Sequence, residues 1–186
     1  YHRVIISILQ ILEREGNCES VVEVKGDYET ANWIKKDKES FELLKRVKLK
    51  SHCLNVAEDV IERLKDRQIM LPAALVAALG HDLGKLESAH NELYKTQNHP
   101  LVSVSILLGV ECYPELPQQD EISRAIQNHH GKAETAIGKL LQAADNSARK
   151  MELAHIAQGD REARRDALSG NQFENKQKEK KQTSTE

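Results

Sequence analysis

From residue 37 onward the apolar residues recur at intervals of three and four with few breaks, a period that can be buried only as helix. Residues 51–66 put Cys53, Val56, Ala57, Val60, Ile61 and Leu64 on one stripe. Pro72 suits the first turn of a helix running through Leu79, and Pro100 opens another through Val110, because no ring there removes a helical hydrogen bond. Residues 120–130 begin with Asp120 as a cap and turn Ile122, Ala125 and Ile126 inward. A long helix over residues 134–158 carries Ile137, Leu140, Leu141, Ala144, Ala148 and Met151. Upstream, residues 3–15 align Val4, Ile5, Ile8, Leu9 and Leu12 before Gly16-Asn17 stops the pattern. Only Val21-Val22-Glu23-Val24 reads as a short strand, with a turn at Gly26-Asp27 behind it. The expected fold is all-α, a helical bundle with at most a small β element near residues 20–25.

A chain of 186 residues suits one globular domain. Its formal net charge of −2 offers no bulk basic surface for nucleic acid or membrane, and 4% aromatics argues against a base-stacking platform. Cys18, Cys53 and Cys112 form neither a disulfide framework nor a zinc-knuckle pattern, which points to a reducing, cytoplasmic setting. No apolar run reaches the about 18 residues of a membrane span. The chain begins at Tyr1 and not at Met, so other domains of a longer parent protein are one expectation. Residues 159–186 are polar, with Phe173 their one aromatic, and are expected to form a flexible tail.

Placement of the eight histidines carries more information than their number. His52 lies on the apolar stripe beside Val56. His81-Asp82 closes the helix of residues 72–79, and Gly84 lets the chain turn away. His129 continues the buried series Ile122, Ala125, Ile126, with His130 beside it and Gly131 after it. Asp145 follows Leu141 by one turn, and His99 precedes Pro100 at a helix start. A buried imidazole or carboxylate costs several kcal/mol, on the order of a whole domain's margin, unless paired or bound to metal. One such group is ordinarily a hydrogen-bonded core residue; three helices sharing the pattern point to a metal centre. Nitrogen and carboxylate donors without cysteine suit octahedral Mn²⁺, Fe²⁺, Ni²⁺, Co²⁺ or Mg²⁺ better than structural zinc.

His52, then His81-Asp82, then Asp145 resembles the H…HD…D signature of the HD-domain metal-dependent phosphohydrolases. The local strings agree: SHCLNVAEDV, AALVAALGHDLGKL and LLQAADNSAR. NHPLVSVSILLG and IQNHHGK make it similar to the binuclear subset with extra histidines, which includes the HD domain of ribonuclease Y and HD phosphodiesterases of cyclic dinucleotides. The likeness covers residues 45–155, so residues 45–158 are expected to be the HD domain and 1–44 an N-terminal helical segment of unassigned role.

The resemblance implies that His52, His81, Asp82 and Asp145 hold one divalent metal and that Asp82 bridges to a second, completed by His99, His129 and His130. His90 competes with His99 for that place, and His99 is favoured because it opens a helix. His2 and His155 are expected to be ordinary, His155 in a core or interface role. Two such ions would activate a hydroxide between them and clamp the attacking and leaving oxygens of a phosphoryl group. Asp82 and Lys85 are then the catalytic candidates, with Lys85, Arg149 and Lys132 as phosphate-binding candidates. For Arg149 an ion pair with Asp145 or Glu152 is an equal alternative. The Gly-Tyr-Pro of the cyclic di-guanylate branch is missing after His130, where Gly131-Lys132-Ala133 stands. The expected substrate is a phosphodiester in a nucleotide, cyclic dinucleotide or nucleic-acid end. The alternatives are a nucleotide phosphomonoesterase, one domain of a larger nuclease or relaxase-like protein, or a non-catalytic sensor or scaffold.

Overall fold

A computed structural model describes the backbone of residues 1–25 and 37–182 and the side chains of those up to residue 162. The turn expected at Gly26-Asp27 lies outside the described residues. Helix α1 (His2–Glu15) buries Val4, Ile8 and Leu12, spaced four apart, and stops where the Gly16 N–H returns to the Leu12 carbonyl. Any side chain at Gly16 would stand 2.5 Å from that carbonyl. Helix α2 (Lys38–Leu44) is capped by Asp37, whose carboxylate accepts the Ser40 N–H. Helix α3 (Leu49–Leu64) turns His52, Cys53, Val56, Ala57 and Val60 inward.

Helix α4 (Leu71–Gly80), with Pro72 in its first turn, is the centre of the bundle. Ala73, Ala74, Val76, Ala77, Ala78, Leu79 and Gly80 are all buried, so it is apolar on nearly every side. Its small side chains let α1, α3 and the helices that start at His99, Gln119 and Ala136 pack around it closely. Helix α5 (His90–Thr96) ends at Gln97, which takes a left-handed φ of 53°. Helix α6 (His99–Leu108) starts at Asn98, whose side chain accepts the Leu101 N–H. Helices α7 (Gln119–Gln127) and α8 (Ala136–Gln182) complete the order.

Most boundaries agree with the apolar periods to within two residues, and the exceptions are informative. Gln118, not Asp120, precedes α7, and Asp120 sits inside its first turn. The stretch between Asp82 and His99, to which the sequence assigned no element, holds two 3₁₀ turns (Leu83–Lys85 and Glu87–Ala89) as well as α5. Residues 21–24 are not a strand. The bridge between Glu19 and Lys48 is the β pairing among the described residues, and Val21 instead packs with Phe41 and Leu44 in a small second core. Helix α8 does not stop at residue 158 but continues to Gln182. Gly159 costs a helix about 1 kcal/mol relative to Ala yet does not end it among neighbours that favour helix. Residues 1–12 belong to the main core, since Val4, Ile8 and Leu12 cluster with Leu49, Val56 and the α4 alanines. No single helix among the described residues is long and apolar enough to cross a membrane.

Candidate metal centre

Three helix ends and two helix faces converge on one point. His52 comes from the inward stripe of α3 and Asp145 from that of α8. His81 and Asp82 follow the C-terminus of α4, where the chain leaves the helix. His99 is the first residue of α6, and His129-His130 lie just past α7. The chain can bend back from Asp82 to α6 because Gly84 has no side chain. A Cβ there would sit 2.2 Å from the His99 carbonyl oxygen and 3.0 Å from the Ser103 nitrogen. The Gly84 N–H donates to Ser103 Oγ, and that hydroxyl donates to the His99 carbonyl, fixing the two segments together.

The donors fall into two groups, each with mutual spacings within 4.8 Å: His52, His81 and Asp145, and Asp82, His99, His129 and His130. Asp82 stands between them. Its Oδ2 is 3.4 Å from His81 Nε2 and 3.7 Å from His52 Nε2, while its Oδ1 is 3.3 Å from His99 Nε2 and 3.7 Å from His129 Nε2. His52 Nε2 also lies 3.2 Å from Asp145 Oδ1. His52, His81, Asp82, His99, His129 and Asp145 are buried, whereas His130 is half-buried.

Ring orientation shows what the donors are arranged for. The Nδ1 of His81 donates to the Ala78 carbonyl at 2.8 Å, that of His129 to the Ile126 carbonyl at 2.5 Å, and that of His52 to Glu152 Oε1 at 2.9 Å. Each ring therefore keeps its Nε2 for the centre, the arrangement typical of metal-bound imidazoles. The Nε2 atoms of His52, His81 and His129, with Asp82 Oδ1 and Asp145 Oδ1, have no hydrogen-bond partner. Five orphaned buried donors in one cluster would be costly in a metal-free core, and a divalent cation satisfies them together. The residues present thus fit a metal.

Charge agrees with this reading. Asp82, Asp145 and Glu152 are buried against two fixed cations, Lys85 and Arg149. Burial would raise the Asp82 carboxyl, but His81 and Lys85 outweigh it and hold it well below the usual carboxylate range. Asp145 is likewise held well below that range, by His52 against burial. Burial pushes His81 down to about 4 and leaves its imidazole neutral, as a ligand requires. For His52, burial and Arg149 push downward, yet Asp145 and Glu152 prevail and raise it above its usual 6.5. Burial drives the Cys53 thiol far up, so no thiolate is offered beside His52.

The remaining candidates lie in different surroundings. Lys85 is 1% exposed and donates to Asp82 Oδ2 at 2.8 Å. Arg149 places Nη1 2.8 Å from Ser20 Oγ and 3.3 Å from Glu152 Oε2, and Nη2 2.9 Å from the Ser20 carbonyl. Its Nη2 is 3.6 Å from Asp82 Oδ2, so it is both near the centre and held by protein partners, with the Glu152 ion pair present. Lys132 is exposed beyond His130. His90 bonds the Lys85 carbonyl at 3.2 Å and stacks edge-on with Tyr94; His99 is the one that joins the donors. His2 is exposed, and so is His155, which rules out a core place for it. Sequence reasoning had no role for Ser20 or Asn55 and saw Glu152 only as an ion-pair partner. Glu152 follows Asp145 by seven positions, two turns on the same face of α8, and that spacing was the available signal.

A family model described as HD domain matches residues 49–168, more than half of the chain. Neither the curated proteins nor the solved structures contain a significant match. Its match begins with α3 and takes in every donor of both groups. With its histidines and aspartates gathered around Asp82 in an all-α bundle, the chain belongs to the HD domain family, whose members are metal-dependent hydrolases.

Proposed function

We propose that this HD domain is a phosphodiesterase that holds two divalent metal ions and acts on a nucleotide, a cyclic or linear dinucleotide, or a nucleic-acid end. The observation that carries the reading is the carboxylate of Asp82, with one oxygen toward each donor group. A single-ion site would use the first group and Asp82, leaving His99, His129 and His130 converged on the other oxygen without purpose. Two bound cations supply Lewis acidity for both the attacking and the leaving oxygen of a phosphoryl group, which suits a diester with its poor alkoxide leaving group.

The chain's own residues have separable tasks. His52, His81 and Asp145 would hold one ion, His99, His129 and His130 the other, with Asp82 contributing to both. Lys85 balances the Asp82 charge in the closed core and faces developing phosphate charge when substrate enters. Arg149, bound to Ser20 and Glu152, orients the centre instead of gripping phosphate. Lys132, exposed near His130, meets the substrate's outer phosphate. A net charge of −2 and few aromatics favour a small substrate or a delivered strand end over a long polymer groove. The test is Mn²⁺-supported turnover of bis-p-nitrophenyl phosphate against p-nitrophenyl phosphate, then of a dinucleotide against single-stranded RNA and DNA. Diester cleavage with little monoester cleavage is expected. Efficient monoester hydrolysis without diester cleavage would replace the reading with a nucleotidase-like phosphatase.

A further inference from the structure

The segment before residue 49, outside the matched family region, reaches the metal centre through a continuous buried chain of contacts. Ser20, fully buried, meets the Arg149 guanidinium with both its hydroxyl and its carbonyl, at 2.8 and 2.9 Å. Arg149 Nη1 donates to Glu152 Oε2 at 3.3 Å. The other oxygen of Glu152 accepts from His52 Nδ1 at 2.9 Å and from Asn55 Nδ2 at 2.9 Å. His52 then presents its unpartnered Nε2 to Asp82 and Asp145. Ser20 itself is fastened to the body, its N–H donating to the Val47 carbonyl at 2.9 Å.

We infer that Glu152 is a positioning residue for His52, and that Ser20 and Arg149 hold Glu152 in place, so the N-terminal segment completes the first metal site. This inference rests on the metal reading above. A carboxylate on the far nitrogen of a metal-bound imidazole fixes the ring's tautomer and rotation and makes its Nε2 a stronger donor. Glu152 can act this way because two other donors, from Asn55 and Arg149, fix the plane of its carboxylate. His81 and His129 have neutral carbonyls in the same role, so of these three imidazoles His52 is the one whose outer nitrogen rests on a charged partner. Glu152 backs His52 alone among the donors, while the second group meets this chain of contacts only at the shared Asp82, so loss of Glu152 should be felt chiefly at one ion.

The experiment is a Co²⁺ titration of the metal-free full chain, followed by visible absorption and by calorimetry, on the native protein and on Glu152→Ala, Glu152→Gln and Ser20→Ala. The native chain should take up two Co²⁺. Glu152→Ala should weaken one of the two by about 10- to 100-fold, the usual scale for removing such a partner, with the other unchanged. Glu152→Gln keeps the size and one acceptor, so it carries the test if the alanine variant fails to fold. It should weaken the same ion less, about 3- to 10-fold, and alter that ion's absorption bands. Ser20→Ala should act in the same direction and more weakly. Native-like binding of both ions in Glu152→Gln and Glu152→Ala would overturn the positioning role alone. Equal weakening of both ions, together with a lower Tm of the metal-free protein, would make Glu152 a packing residue and overturn it too. A native chain that binds no Co²⁺ would remove the metal reading and this inference with it.

Discussion

The two donor groups that share Asp82 are built differently. In the first, His52, His81 and Asp145 are sealed in the core, and the outer faces of the two imidazoles rest on Glu152 and on the Ala78 carbonyl. In the second, His129 is anchored to the Ile126 carbonyl, but His130 is half-buried and its Nε2 lies 3.1 Å from His99 Nε2. The first group is fixed by helices α3, α4 and α8; the second hangs on the start of α6 and the turn after α7. Deep, charge-backed ligands hold an ion tightly, while ligands at a helix end near the surface leave room for substrate and exchange. On the two-ion proposal, the first group would hold the centre together and the second, with the half-buried His130, would face the side where substrate arrives.

The largest effect should come from the one residue that both groups share. Asp82→Ala should abolish binding of both ions and lower diester turnover on the order of 1,000-fold or more, while far-ultraviolet circular dichroism stays helical. Retention of either ion at native affinity would break the shared-carboxylate account. Next, His81→Ala and His130→Ala should separate the groups. The first should abolish the ion of its own group with the other retained, and the second should only weaken the ion of the second group. Equivalent losses from the two variants would erase the distinction drawn here.

A smaller and more selective disturbance is Gly84→Ala. Its Cβ would collide with backbone atoms of His99 and Ser103, which cannot swing aside, so the start of α6 must move. Overpacking of this kind costs about 1–3 kcal/mol and should weaken the second ion with the first retained. Gly80→Ala is the control, since the nearest atoms to its Cβ belong to the Leu107 side chain and not to backbone. Thermal unfolding and metal stoichiometry measured together distinguish the two variants.

Acidity should also divide the groups. His52 is raised above 6.5 by Asp145 and Glu152 against burial, so an ion at the first group competes with a proton that His52 holds more tightly than a free imidazole does. Affinity there should fall toward tenfold per pH unit once the pH is below the raised value, whereas His81, at about 4, adds nothing until far lower pH. The metal-free protein should respond in the opposite sense. A raised folded value means the His52 contribution to stability is complete below pH 6.5 and fades as pH rises through that value. Metal-free stability that climbs from pH 6 to 8 would contradict this.

Much of the candidate site was legible because the residues that could hold metal obey helical arithmetic. An imidazole on an apolar stripe, or at a Gly-marked helix end, is conspicuous in one dimension, and His52, His81, Asp82, His129 and Asp145 all announce themselves in that way. The supports were less visible. Ser20 meets Arg149 across 129 positions of sequence, from a segment whose valines resemble a strand, and no local pattern encodes such a contact. Burial there does not mean pairing: Val21 packs against Phe41 and Leu44, and no strand lies beside it among the described residues. The end of α8 was misplaced for a related reason, since a polar segment with one glycine looks like a tail when only its burial potential is considered. Its Arg, Glu, Lys, Ala and Gln residues nonetheless favour helix individually.

The central claim is that two donor groups joined by one carboxylate hold two ions. Elemental analysis of protein purified without chelator tests it most directly, with native chain beside the double variant His129→Ala, His130→Ala. Two divalent ions per native chain and one in the double variant are predicted. A ratio of one in the native chain, unchanged in the double variant, would contradict it.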